Sequence, residues 1–197
     1  MQTVSPSTPT HAAGSLSAGS FQVWAPELYE EYRSLSQHYV EDKKAAQNFP
    51  GIAFAATTFN LGPATVTYPH VDAGNLPHGW CSITAFGDFD PDLGGHLVLW
   101  DMGLVIRFPP GHTILIPSGC VCHSNVGIQP HERRYSMVLY SAGGLFRYKE
   151  YGMQMIGDAM KEHEKYETFR AYREGLAPKD LHLFSKYSQL VAEFGNE

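Results

Sequence analysis

The stretch "GGHLVLWDMGLVIRFPPGHTILIPS", residues 94–118, holds three short apolar runs, "HLVLWDM", "LVIRFP" and "TILIPS", parted by Gly and Pro. Each run is too short for a stable helix and is rich in Leu, Val and Ile. Gly and Pro between such runs mark turns, so the stretch reads as consecutive β-strands. The same punctuation extends outward from Ile52 to Tyr148, through "IAFAATTF", "ATVTY" and "WCSITAFGDF" on one side, and "VCHSNVGI" and "RYSMVLYSA" on the other. About eight candidate strands at this spacing predict an antiparallel sandwich or jelly roll. The expected fold is mainly β with flanking helices, around a jelly-roll core.

The flanks read differently. Residues 1–22 are rich in Ser, Thr, Pro, Ala and Gly, and are expected to form a flexible tail. They lack the basic start and apolar centre of a secretory signal. Next, "APELYEEYRSLSQHYVEDKKAAQNF" places Pro26 near a helix start, with Glu27, Glu30 and Glu31 in the first turns and Lys43 and Lys44 toward the end. That polarity suits the helix dipole. Leu28, Tyr32, Leu35 and Tyr39 would form its buried stripe. Helix returns in "MIGDAMKEHEKYETFRAYREG", ending at Gly175, and again from Pro178. The expected organisation is one domain over 23–197, with its β core at about 51–148.

Composition bounds the function. A 43% apolar and 17% charged chain of 197 residues can bury a substantial core. Its net charge of -6 lowers the expectation of a phosphate-binding surface, which needs clustered Lys and Arg. Three cysteines (Cys81, Cys120, Cys122) make no disulfide framework and point to a reducing intracellular site, nuclear or cytoplasmic. No apolar run reaches membrane-spanning length, and no membrane or protein partner is indicated.

The chemistry begins at "TVTYPHVDAGN", residues 65–75. His70 and Asp72 stand two apart, so in extended chain both project to one side. A later histidine, His123 in "CVCHSN", lies in an apolar strand that a jelly roll can bring beside the first. Two imidazoles and one carboxylate cover one face of a metal and leave the opposite positions open. That donor set suits a non-haem Fe(II) oxygenase. Arg134 follows His123 by eleven residues and begins the pattern Arg-x-Ser with Ser136. A guanidinium on an apolar strand is costly unless it meets an anion. Arg134 and Ser136 would hold the distal carboxylate of a keto-diacid such as 2-oxoglutarate. Arg133 has the opposite parity, and a register slip would exchange the two roles.

Two other signals are set aside. "DFDPDLGG" has the acids of a calcium loop, but Leu93 and Leu99 stand where Gly and Glu are needed. "CVCH" suggests zinc, yet only Cys81 remains as a fourth soft donor.

"HVDAGN" is similar to the His-x-Asp-x-x-Asn of the TET/JBP family of Fe(II)- and 2-oxoglutarate-dependent nucleic-acid-base oxygenases, and "RYSMVLY" to its Arg-x-Ser-Leu-Val-Phe-Tyr. Residues 94–118 resemble the family's Gly-Gly hairpin and the strand leading to its distal histidine. The resemblance is strongest to the stand-alone domains abundant in mushroom-forming fungi. It implies a double-stranded β-helix, with Fe(II) held by His70, Asp72 and His123 at the catalytic centre and 2-oxoglutarate held by Arg134 and Ser136. It further implies that Asn75 touches the target base, that Tyr140 lies near it, and that O2 is the co-substrate. The partner would be DNA or RNA carrying a methylated pyrimidine such as 5-methylcytosine, flipped out to reach the pocket. Lys43, Lys44, Arg147 and Lys149 are the candidate phosphate contacts. The chain departs from the pattern at Ala142, where some members carry a base-contacting His. The same chemistry on a small metabolite, a free nucleobase or a peptide is the alternative. A non-catalytic jelly-roll binding module is the third reading.

Overall fold

The computed structural model describes residues 9–43, 49, 51–159, 161, 167 and 181–194. Among the described residues, eight strands form two antiparallel sheets: β1 (Ala56–Asn60), β2 (Thr67–His70), β3 (Cys81–Asp88), β4 (Leu97–Leu99), β5 (Leu104–Ile106), β6 (Thr113–Ile116), β7 (His123–Asn125) and β8 (Arg133–Tyr140). Their order is β1-β8-β3-β6 in one sheet and β2-β7-β4-β5 in the other. Successive strands therefore alternate between the sheets except at β4 and β5, which pair as a hairpin in the second sheet, and this is the winding of a jelly roll. Between β4 and β5 the chain makes only a short 3-10 turn at Trp100–Met102.

Strand parity separates two cores. On β8, Met137 and Leu139 turn outward into a cluster with Phe21, Leu28, Tyr32, Leu35 and Phe54. Between the sheets, Cys81, Ile83 and Ala85 of β3 meet Leu97, Leu99, Phe108, Ile116 and Val121. Helix α2 (Pro26–Lys43) starts at Pro26, carries Glu27 in its first turn, and buries Leu28, Tyr32 and Leu35 against the first cluster, with Tyr39 partly buried beside it.

The flexible-tail expectation for residues 1–22 is corrected from Pro9 onward, because α1 (Pro9–Trp24) is a helix packed on the sheet. Small residues make the contact close. A Cβ on Gly14 would stand 2.6 Å from Ile52 Cδ1. Buried Ser17 donates to the Ala13 carbonyl and accepts from Ser82 Oγ at 2.8 Å. Phe21 is fully buried, stacked on Phe54 and Trp80 and edge-on to Tyr29 and Tyr32. Ser, Ala and Gly read as tail residues in composition; here they are what lets a helix approach a strand surface.

The β core ends at Tyr140 rather than near Tyr148. Gly143 opens α3 (Gly143–Glu150), whose Phe146 enters the helix-side core. Tyr39 Oη donates to the Leu145 carbonyl at 3.1 Å, tying α3 to α2. Short helices follow at Ile156–Ala159 and Tyr187–Phe194. The expected helix from Met155 to Gly175 lies mostly outside the described residues, as does a helix start at Pro178. Among the described residues no helix is long and apolar enough to cross a membrane.

Candidate metal and anion site

β2 and β7 pair with His70 directly opposite His123. Their rings lie 4.4 Å apart, and Asp72 Oδ1 stands 3.6 Å from His70 Nε2. The ligand atoms of His70, Asp72 and His123 all fall within 4.8 Å of one another, the span of one coordinated ion. Backbone carbonyls set both tautomers. His70 Nδ1–H donates to the Tyr68 carbonyl at 2.8 Å, and His123 Nδ1–H to the Val121 carbonyl at 3.0 Å. A carbonyl only accepts, so Nδ1 carries a proton in each ring and Nε2 is the nitrogen left to face a metal. Two imidazoles presenting Nε2 and a carboxylate fit a divalent first-row cation.

Asp72 lies just past the end of β2 and is held by the turn after β6: its backbone N–H donates to the Ser118 carbonyl at 2.8 Å. Asn75 Nδ2 donates to Asp72 Oδ2 at 3.2 Å and to Ser118 Oγ at 3.0 Å. Asn75 also pairs with Ala142 in an isolated bridge, which brings the end of β8 to the same place.

A cavity of about 380 Å³ opens between the sheets, lined by the three ligands and by Asn75, Arg134, Ser136, Val138 and Tyr140. β8 turns its even-numbered residues into this cavity. Arg133 is exposed, whereas Arg134 is 3% exposed. The guanidinium is incompletely satisfied. Its Nη1 donates to the Thr65 carbonyl and to Thr65 Oγ1, at 3.3 and 3.2 Å, while Nε is buried with no partner. Phe89 lies beneath it, 6.0 Å from Cζ to ring centroid. Among the described residues no carboxylate lies within ion-pair distance of it. Desolvation pushes the Arg134 pKa down from its ordinary value. The shift marks a penalty on the cation throughout the working pH range, which a bound anion would offset. An orphaned, buried donor beside Ser136 fits the carboxylate of a keto-diacid.

Sequence reasoning missed several polar residues that complete the lining. Asn60 Nδ2 donates to Ser136 Oγ at 2.8 Å, and Asn125 Oδ1 accepts from the backbone and hydroxyl of Thr67. Asn60 on β1 is opposite Ser136 on β8, so cross-strand pairing would have exposed the first of these, given the register. Of the candidate phosphate contacts, Arg147 is exposed and Lys149 Nζ donates to Ser34 Oγ. Lys43 ends α2, and Lys44 lies outside the described residues. In the calcium-like turn, Arg107 bonds Asp92 and holds its carboxyl below the usual range, and Asp90 Oδ1 accepts from the Asp92 backbone. The three cysteines are free, with Cys81 buried and Cys120 exposed.

Neither a family model nor a curated protein matches the chain. Solved structures do. NgTET1 in complex with 5mC DNA aligns with a TM-score of 0.46 and 22% identity, over 58% of this chain. The chain spans 41% of the length of NgTET1 in that structure. The viral collagen prolyl hydroxylase vCPH of Paramecium Bursaria Chlorella virus-1, as its 2OG complex, aligns with a TM-score of 0.32 and 12% identity, over 54% of this chain and 68% of that one. Both scores lie below 0.5, and the site's geometry stands independently of them.

Proposed function

We propose that this chain is an Fe(II)- and 2-oxoglutarate-dependent dioxygenase of the TET/JBP-like kind, oxidising a methylated pyrimidine base such as 5-methylcytosine in nucleic acid. The observation that carries the enzyme class is the shared cavity. Three metal-ligand atoms within 4.8 Å of one another and an incompletely bonded buried guanidinium line one space. His70 and His123 present Nε2, and Asp72 presents Oδ1. Arg134 and Ser136 receive the distal carboxylate of 2-oxoglutarate, which orients the co-substrate and neutralises the desolvated cation. With iron and 2-oxoglutarate bound, the cofactors supply oxidative chemistry driven by O2. The protein's part is to hold both in register and admit one C–H bond beside them. Asn75 and Tyr140 line the same cavity, and on this reading the substrate base sits beside them.

The substrate assignment rests on the resemblance of "HVDAGN" and "RYSMVLY" to TET/JBP motifs. One observation favours a compact substrate instead, a free nucleobase, small metabolite or peptide. Residues 61–71, which lead through β2 to the ligands, contain no Lys or Arg and expose Leu61, Val66, Tyr68 and Val71. Phosphate contact needs cations there or on another flank. The test is mass spectrometry of 5-methylcytosine oligonucleotides after incubation with protein, Fe(II), 2-oxoglutarate and O2. Oxidised cytosine with matching succinate is expected. Succinate formation that ignores the oligonucleotide would shift the assignment to a compact substrate.

A further inference from the structure

Asn75 and Ser118 join the two ligand-bearing segments. Asp72 follows β2, and His123 begins β7 five residues beyond Ser118. Ser118 is 1% exposed and does two things: its carbonyl accepts the Asp72 N–H at 2.8 Å, and its Oγ accepts from Asn75 at 3.0 Å. Asn75 in turn donates its backbone N–H to the Asp72 carbonyl at 2.8 Å. Its side-chain amide reaches Asp72 Oδ2, the oxygen other than the one facing His70. A carboxylate accepts only, so the amide nitrogen must lie on the Asp72 side, and both its hydrogens are committed.

We infer that Asn75, braced by Ser118, is a positioning residue that holds Asp72 Oδ2 and leaves Oδ1 as the single oxygen offered to the metal. The inference rests on the proposed reading of the triad as a metal site. Its chemical consequence is a carboxylate held to one-oxygen coordination, which preserves the open positions that a co-substrate needs. A second consequence concerns the substrate: with both amide hydrogens occupied, Asn75 can offer a ligand only its carbonyl oxygen, an acceptor.

The experiment is anaerobic Co(II) titration of the full chain without 2-oxoglutarate, followed by the visible ligand-field spectrum and by calorimetry. Outer-shell partners of metal ligands typically cost about 10- to 100-fold in affinity when removed. Asn75→Ala is expected to weaken Co(II) binding by about that factor, with an unchanged metal-free melting temperature. An affinity equal to wild type overturns the inference. Should Asn75→Ala fail to fold, Ser118→Ala, which keeps the backbone acceptor for Asp72, is expected to show a smaller weakening, and wild-type affinity there overturns the inference instead. Wild-type protein that takes up no Co(II) sinks the metal site itself, and the brace with it. That failure is distinguishable, because it appears before any variant is made.

Discussion

Arg134 carries a charge that the fold desolvates and bonds on one side only, through Nη1 to Thr65. Hydrogen bonds to charged groups contribute about 1.5–3 kcal/mol, or roughly 10- to 150-fold in a binding constant. Arg134→Lys keeps the charge and loses the fork, so it is expected to raise the 2-oxoglutarate requirement by at least about tenfold while leaving metal affinity near wild type. Steady-state kinetics at varied 2-oxoglutarate check this; an unchanged requirement would move the anchor elsewhere. The Arg-x-Ser pattern was legible because strand parity puts both residues on one face. Parity did not say which face, so a register slip left Arg133 as the alternative to Arg134. In the fold Arg134 is buried and Arg133 exposed, and that depends on where the second sheet lies. Cys81 is buried between the sheets. Burial pushes its thiol up to about 12, so it is protonated at pH 8. Exposed Cys120 is expected to react with a thiol reagent in the folded protein, and Cys81 only after denaturation. Rapid labelling of Cys81 in native protein would contradict its placement.

β3 and β8 approach closely beside Arg134 at a glycine. Gly87 lies opposite Arg134 with φ +123, and a Cβ there would stand 2.1 Å from the Arg133 carbonyl oxygen. Gly87→Ala must therefore displace β8 where it carries the guanidinium. It is expected to raise the 2-oxoglutarate requirement more than it weakens metal binding, a split that paired titrations of the two ligands read directly. Equal loss of both would mean general unfolding instead. At the helix side, Phe21→Ala removes a ring packed against Tyr29, Tyr32, Phe54 and Trp80, and is expected to cost about 3–5 kcal/mol of stability, measured by denaturant unfolding. Little or no loss would contradict the packing of α1. The strands were readable because alternation and Gly/Pro punctuation are local signals. α1 was not, because its packing face is built from Ala13, Gly14, Ser17 and Ala18, whose small size signals flexibility until a surface is supplied. α2 was legible from Pro26 and Glu27 at its start and from the stripe of Leu28, Tyr32 and Leu35 that it buries. α3 was not, because its "GGLFRY" start follows an apolar strand without a polar cap.

The jelly-roll winding carries the chain back and forth between the sheets, and that brings His70 and Asp72 beside His123, 53 and 51 positions later. His70 and Asp72 leave one end of β2 as His123 enters β7 beside it, while β8 crosses the cavity floor with Arg134. The motif order along the chain was legible; the meeting of its parts was not, because it depends on closing two sheets over long loops. Ligands that bind only the closed state should stabilise the whole sandwich. Anaerobic calorimetric titration of wild type, His70→Ala, Asp72→Ala and Arg134→Ala with Fe(II), and then with 2-oxoglutarate, separates the metal site from the anion site. Expected are one Fe(II) per wild-type chain and 2-oxoglutarate binding that requires it, loss of Fe(II) binding in the His70 and Asp72 variants with their fold intact, and retained Fe(II) with weakened 2-oxoglutarate in the Arg134 variant. Undiminished Fe(II) binding by folded His70→Ala and Asp72→Ala would contradict the account.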